Sequence, residues 1–125
     1  MTRVNVGIDP RELNNQLLFT EYKEIVRIPN ALAADRANLV DIPTTFKLGP
    51  GHVKFFYNKM AYLHRRWLAI KDECYRRGIN ITDYSSAFDK ITHLDVWGDY
   101  EEKPSDREII LRRFAEKGHV LLEVT

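Results

Sequence analysis

The chain has 125 residues, of which 44% are hydrophobic and 30% charged, and a formal net charge of +1 at pH 7. That length suits one domain with a single core, and the composition is ordinary for a globular protein, without repeats or low-complexity tracts. A near-neutral total gives no sign of a polyanion partner recognised by overall charge, so any nucleic-acid surface has to be a local concentration of Arg and Lys. The single cysteine, Cys74, rules out an intrachain disulfide and suits a reducing compartment. The N-terminus shows no apolar signal region and no run approaches a membrane span, so the reading is a cytoplasmic protein with no membrane partner.

In chain order, Thr2 follows the initiator Met1, a small residue that allows Met1 to be removed and a free α-amine to be left on Thr2. Asp9 is a suitable N-cap, Pro10 fits a first helical position, and Glu12 stands where a capping box places its acid. These signals predict a first helix from about Pro10 to about Arg27, with Leu13, Leu17, Leu18, Tyr22, Ile25 and Val26 on its apolar side. Gln16, Thr20, Lys23 and Arg27 recur at helical spacing as one polar stripe, and Glu24, four residues from Thr20, joins that face. Pro29 disfavours the α region for Ile28 and is expected to end or kink the helix. A short helix at Ala31–Ala37 and a loop to Pro43 are expected next.

Gly49-Pro50-Gly51 introduces the second helix. Val53, Phe56, Met60, Leu63, Trp67, Ile70 and Cys74 repeat at alternating spacings of three and four, which predicts one long helix with a core-facing stripe. Arg76 and Arg77 occupy its last turn and Gly78 supplies a left-handed stop. Residues 79–104 read mostly as loop packed over the core. Ser105 is the expected cap of a third helix, with Glu108 completing a capping box. Ile109, Ile110 and Phe114 anchor that helix, Arg112, Arg113 and Lys117 form its basic side, and Gly118 ends it. The tail HVLLEVT is expected to form one strand or simply to pack. The fold expected is all-α: a compact single domain over residues 1–125, of three main helices with long loops.

The histidines and Cys74 show neither i, i+4 pairing nor CxxC spacing, so no metal is expected. Cys74 lies on the apolar stripe and reads as core. The LGPGH turn reads as a helix start rather than a phosphate loop. The Arg-rich clusters read singly as solvated faces. The N-terminal amine has a more specific chemistry. Its pKa is about 7.7–8 against about 10.4 for lysine, so part of it is neutral at pH 7 and able to attack a carbonyl-level carbon. Nearby cations such as Arg3 lower that pKa further, and Glu24 can stabilise the cation that forms or move a proton.

Several blocks together resemble the phage-type pyrimidine-dimer DNA glycosylases, the endonuclease V-like enzymes that are also abasic-site lyases. They are MTR-x-N at the start, EL…Q…EYKE…R after it, PTTFKLGPGHVKFFYNK, ECYRRGINI, GDY, and R-x-x-EK at Arg113 to Lys117. The resemblance spans most of the chain. It implies a mainly helical domain, expected to be a monomer, that acts on double-stranded DNA containing a cyclobutane dimer with no cofactor and no metal. It implies that Thr2 and Glu24 are catalytic. The α-amine of Thr2 attacks C1′ of the deoxyribose 5′ in the dimer, a Schiff base forms as the glycosidic bond breaks, and β-elimination cuts the strand with Glu24 assisting. It gives DNA-binding roles to Arg3, Gln16, Lys23, Arg27, Arg113 and Lys117, where Arg and Lys suit phosphate contacts.

This chain departs from the pattern in four places. Lys23 stands where an Arg is familiar, which keeps the charge and loses the bidentate fork. The loop after the first helix is shorter and carries Asp35 and Asp41. Leu17 replaces a histidine, and the chain ends without an aromatic-rich tail. The alternatives are a non-catalytic or differently specific DNA-binding relative on the same scaffold, or a helical interaction protein.

Overall fold

The computed structural model describes residues 2–124. The Asp9 capping box forms, with Glu12 Oε1 accepting from the Asp9 N–H at 3.1 Å. It caps a 3-10 turn over Pro10–Glu12 rather than the first helix. The chain then extends at Leu13, whose side chain is wholly buried. Asn14 starts α1 (Asn15–Ile25) by accepting from the Leu17 N–H at 2.9 Å. The expected continuous helix from Pro10 is thus two elements, because burying Leu13 requires the chain to turn inward before the helix begins.

The bend expected at Pro29 falls earlier, at Val26. α2 (Arg27–Ala33) follows directly, so Ile28 is helical and Pro29 lies in a first turn. A missing N–H costs nothing there, which is why the proline does not break the helix. The helix expected at Ala31–Ala37 is this element, displaced toward the N-terminus. In the loop that follows, Asp35 and Asp41 take positive φ of 59° and 56°, a conformation that Asp tolerates better than most residues.

The expected long second helix is also divided, into α3 (His52–Phe55) and α4 (Met60–Arg76). A tertiary contact causes the break. The Gly98 N–H donates to Asn58 O at 3.2 Å and the Ala61 N–H donates to Gly98 O at 3.1 Å. These bonds take backbone groups that a continuous helix would use itself. Residue 98 must be glycine for this approach, since a Cβ there would lie 2.5 Å from Asn58 O. The apolar stripe survives the interruption: Phe56, Met60, Leu63, Trp67, Ile70 and Cys74 are all completely buried, each worth roughly 1.5–3 kcal/mol for a large apolar side chain. Cys74 is therefore core, as its position on the stripe predicts. Gly78 ends α4 at φ 72°, with the Ile79 N–H returning to Cys74 O at 2.9 Å.

Residues 79–103 are mostly loop, with a short α5 (Ser86–Asp89) and a 3-10 turn at Leu94–Val96. α6 spans Pro104–Lys117. Ser105 is not its cap: it lies inside the first turn, and Asp106 rather than Glu108 reaches back, accepting from the Lys103 N–H at 2.9 Å. Gly118 stops α6 at φ 72°. The described tail forms no strand: Leu121 packs partly on the core, Val120 and Leu122 are exposed, and the Leu122 N–H donates to Glu12 O at 2.7 Å. Among the described residues the only β-type pairing is an isolated bridge between Lys59 and Trp97.

The long helices are thus α1, α4 and α6, an all-α arrangement as expected. α1 packs on α4, where Tyr22 stacks on Trp67 with ring centroids 5.3 Å apart and Trp67 Nε1 donates to Tyr22 O at 3.1 Å. Among the described residues no helix is long and apolar enough to cross a membrane.

Candidate functional site

The site is built on the segment before the first turn. Val4, Val6 and Ile8 are buried at 0%, 0% and 1% exposure, so this stretch runs through the protein rather than over it, turning at Val6–Gly7, where the Ile8 N–H donates to Asn5 O at 3.2 Å. Buried backbone N–H groups need acceptors, and side chains supply them here. Glu24 Oε1 accepts from the Arg3 N–H at 3.2 Å, and His52 Nε2 accepts from the Val4 N–H at 2.9 Å. Glu21 Oε2 accepts from the Asn5 N–H at 3.3 Å, and Glu102 Oε2 from the Gly7 N–H at 2.9 Å. Acceptors from α1, α3 and the segment before α6 therefore hold the backbone from Arg3 to Gly7, directly after Thr2.

His52 is locked in one tautomer by its partners. Nδ1 donates to Lys47 O at 2.9 Å, which leaves Nε2 as the acceptor for Val4. Burial lowers the pKa of this imidazole to about 4, and the charge of Arg3 adds to the effect.

Glu21 and Glu24 sit one turn apart on α1 and have different partners. The Glu21 carboxylate is consumed: Arg66 donates to it through Nε at 2.5 Å and Nη2 at 3.1 Å, and Asn5 Nδ2 donates at 2.6 Å. Burial alone would lower the pKa of Arg66, and Glu21 outweighs that, so the net direction is up. Removing either partner would leave a buried charge uncompensated. Among the described residues Glu24 accepts from the Arg3 N–H and lies 3.7 Å from Arg27 Nη1, with its side chain 14% exposed, so it carries no close pairing like that of Glu21 with Arg66.

Glu24 opens onto a cavity of about 200 Å³. From α1, Leu17, Thr20, Glu21 and Glu24 line it; from the N-terminal segment, Arg3 and Asn5; and from the C-terminal region, Arg113, Phe114, Lys117 and His119. Arg113 and Lys117, one turn apart, share a face of α6. That helix is fastened to the N-terminal segment by Arg107, which grips Glu12 at 2.7 and 2.8 Å and donates to Gly7 O at 3.1 Å. The approach is close enough that a Cβ on Gly7, itself at φ +85°, would fall 2.9 Å from Arg107 Cβ.

Four expected site residues, Arg3, Glu24, Arg113 and Lys117, thus meet at one cavity. Thr2 adjoins it, and the span of one residue, about 3.6 Å, separates its nitrogen from the amide that Glu24 binds. The state of Met1, on which a free amine at Thr2 depends, lies outside the described residues. Gln16, Lys23 and Arg27 do not line the cavity. Gln16 and Lys23 lie on an exposed side of α1 about 80–100° of helix rotation from Glu24, and Arg27, also exposed, opens α2; Lys23 Nζ lies 4.5 Å above the Phe19 ring. Burial first, then the neighbouring Arg113 charge, lower the pKa of Arg3, while Glu24 acts against both.

Sequence reasoning placed Thr20 on the polar stripe without giving it a role, and assigned no site role to Asn5, His119 or His52. Asn5 is 3% exposed and its Oδ1 lacks a hydrogen-bond partner among the described residues. His119 reaches the cavity because Gly118 turns the chain back, setting its ring edge-on to Phe114 at 5.5 Å. A buried His52 was hinted at only by its place directly after a glycine turn. Among the described residues no three His, Cys, Asp or Glu side chains stand together as a metal site. The family model described as pyrimidine dimer DNA glycosylase matches residues 1–87, a span that holds Glu24 and the N-terminal segment and stops short of α6.

Proposed function

Because the chain belongs to the pyrimidine dimer DNA glycosylase family, we propose that it is a DNA repair glycosylase and abasic-site lyase with Thr2 and Glu24 at its centre. The observation that carries this reading is the Arg3 N–H bond to Glu24 at 3.2 Å, at the edge of a cavity with three cationic side chains. With Met1 removed, the Thr2 nitrogen attacks C1′ of the damaged nucleotide. The glycosidic bond breaks, its electron pair leaves with the base, and the base takes a proton. Opening of the sugar ring leaves an imine between Thr2 and C1′. Loss of a proton from C2′ then expels the 3′ phosphate, which cuts the strand.

The residues suit these steps. Arg3 and Arg113 lower the pKa of a nearby amine by like-charge repulsion, which raises its nucleophilic fraction. Glu24 stabilises the cationic imine and relays the proton from C2′. Lys117, Arg113, Gln16 and Lys23 of α1 and Arg27 at the start of α2 hold the DNA backbone, and phosphate contacts of this kind weaken as salt rises.

The test is borohydride trapping with protein shown by mass to begin at Thr2. A covalent protein–DNA adduct is expected on dimer-containing and on abasic duplex, and protein acetylated at Thr2 should give none. Absence of an adduct on both substrates overturns the reading, and salt-sensitive binding without an adduct would mark a non-catalytic DNA-binding relative.

A further inference from the structure

A second cleft, of about 350 Å³, adjoins the cavity and shares the side chains of Arg3 and Arg113 with it. Leu48 and Gly49 of the turn before α3 line it together with Arg112 and Glu116 of α6. Three guanidinium groups therefore border one cleft with a single carboxylate, and Glu116 pairs with Arg113 at 3.5 Å. The chain as a whole carries +1, so this excess is local. Acidic residues gather elsewhere, with Asp99, Glu101 and Glu102 around Arg65.

Two further features suit an anion. The burial and Arg113 repulsion acting on Arg3 are costs that a bound anion relieves. Gly49 has φ +72° and no heavy atom within 4 Å of where a Cβ would be, so the turn leaves space beside the arginines. Arginine, with its planar fork, matches the two free oxygens of a phosphodiester.

We propose that this cleft holds one phosphodiester of the substrate strand next to the nucleotide in the cavity, with Arg112 as the contact that the cavity does not share. The inference rests on the reading of the protein as a DNA glycosylase. It extends the DNA-binding surface to a residue outside the cavity and apart from Gln16, Lys23 and Arg27, and gives the LGPG turn a place beside the DNA.

The experiment measures binding to a duplex carrying a tetrahydrofuran abasic analogue, which offers no aldehyde for imine formation. Arg112 is exposed, so substitution there leaves the core intact. Arg112→Gln should weaken binding about three- to tenfold and reduce the slope of log K against log salt by about 0.9, while Arg112→Lys should keep the slope and regain part of the affinity. Neutral methylphosphonate linkages placed one at a time around the analogue then locate the contact. One position should weaken wild-type binding more than it weakens binding by Arg112→Gln, which keeps Arg3 and Arg113 at the cleft. Equal affinities and salt slopes for wild type and Arg112→Gln, or no methylphosphonate position that distinguishes them, overturn the proposal. Wild-type protein that forms the borohydride adduct while failing this test refutes the cleft alone; protein that neither binds duplex nor forms the adduct refutes the glycosylase reading.

Discussion

Replacing His52 with phenylalanine tests the idea that one neutral imidazole holds the N-terminal segment in place. The ring lies edge-on between Phe46 and Phe56 at 5.6 and 5.4 Å, so phenylalanine keeps the shape. It removes the acceptor of the Val4 N–H and the donor to Lys47 O. The buried Val4 N–H left without a partner costs about 1–3 kcal/mol, while Lys47 O belongs to an exposed residue, so the variant should be about 1–3 kcal/mol less stable at pH 7. The pH dependence makes the test specific. In the unfolded chain His52 takes up a proton near pH 6.5, whereas in the folded protein it resists until about pH 4. Its contribution is fully present above pH 6.5 and is lost as the pH falls toward 4, a loss of about 3 kcal/mol. Urea unfolding at pH 7.0, 5.5 and 4.5 should therefore show wild type losing stability faster than His52→Phe, so that the gap between them narrows. Parallel stability curves would refute the neutral-imidazole account. Because the bonded amide is adjacent to Arg3, cleavage by the folded wild-type protein should weaken on this account only as the pH approaches 4, where folded His52 takes up its proton.

Two other substitutions address the site directly. Glu24→Gln keeps an oxygen to accept from the Arg3 N–H and loses the charge, so single-turnover cleavage of abasic duplex should fall at least about a hundredfold while binding holds; near-wild-type cleavage would remove Glu24 from the mechanism. Gly7→Ala forces a side chain into a left-handed backbone and against Arg107 Cβ, 2.9 Å away. It should cost about 2–4 kcal/mol by thermal unfolding, and an unchanged melting temperature would mean that the Gly7–Arg107 approach is relaxed in solution.

The local signals in this chain were read correctly more often than their extents. The capping box at Asp9 and Glu12 exists, yet it closes a single 3-10 turn, because a cap pattern specifies the start of a turn and not how far the helix runs. The stripe from Phe56 to Cys74 is buried as its period predicts, but periodicity does not reveal that Gly98 pairs with Asn58 and Ala61 and divides the helix. Glycine stops at Gly78 and Gly118 were legible because φ near 72° is a property of one residue. Ser105 is not the cap because the helix begins one residue earlier, at Pro104, which makes Lys103 the N-cap and puts Asp106 three residues on to accept from its N–H.

For the site, the motifs in the N-terminal half were enough to indicate the family, and with it Thr2 and Glu24 as candidates. Such motifs name residue types at fixed spacings, which is what a linear sequence records. Only the tertiary structure shows how the two carboxylates differ physically, because the difference lies in Arg66, a partner 45 residues from Glu21 that pairs with that carboxylate. Only it brought Arg3 beside Arg113 and Lys117, through the bonds of Arg107 to Gly7 and Glu12. Spacing along the chain decides which face of a helix a residue shares. Which distant charge meets it there, and so how closely a carboxylate is paired, depends on how the helices and the N-terminal segment pack.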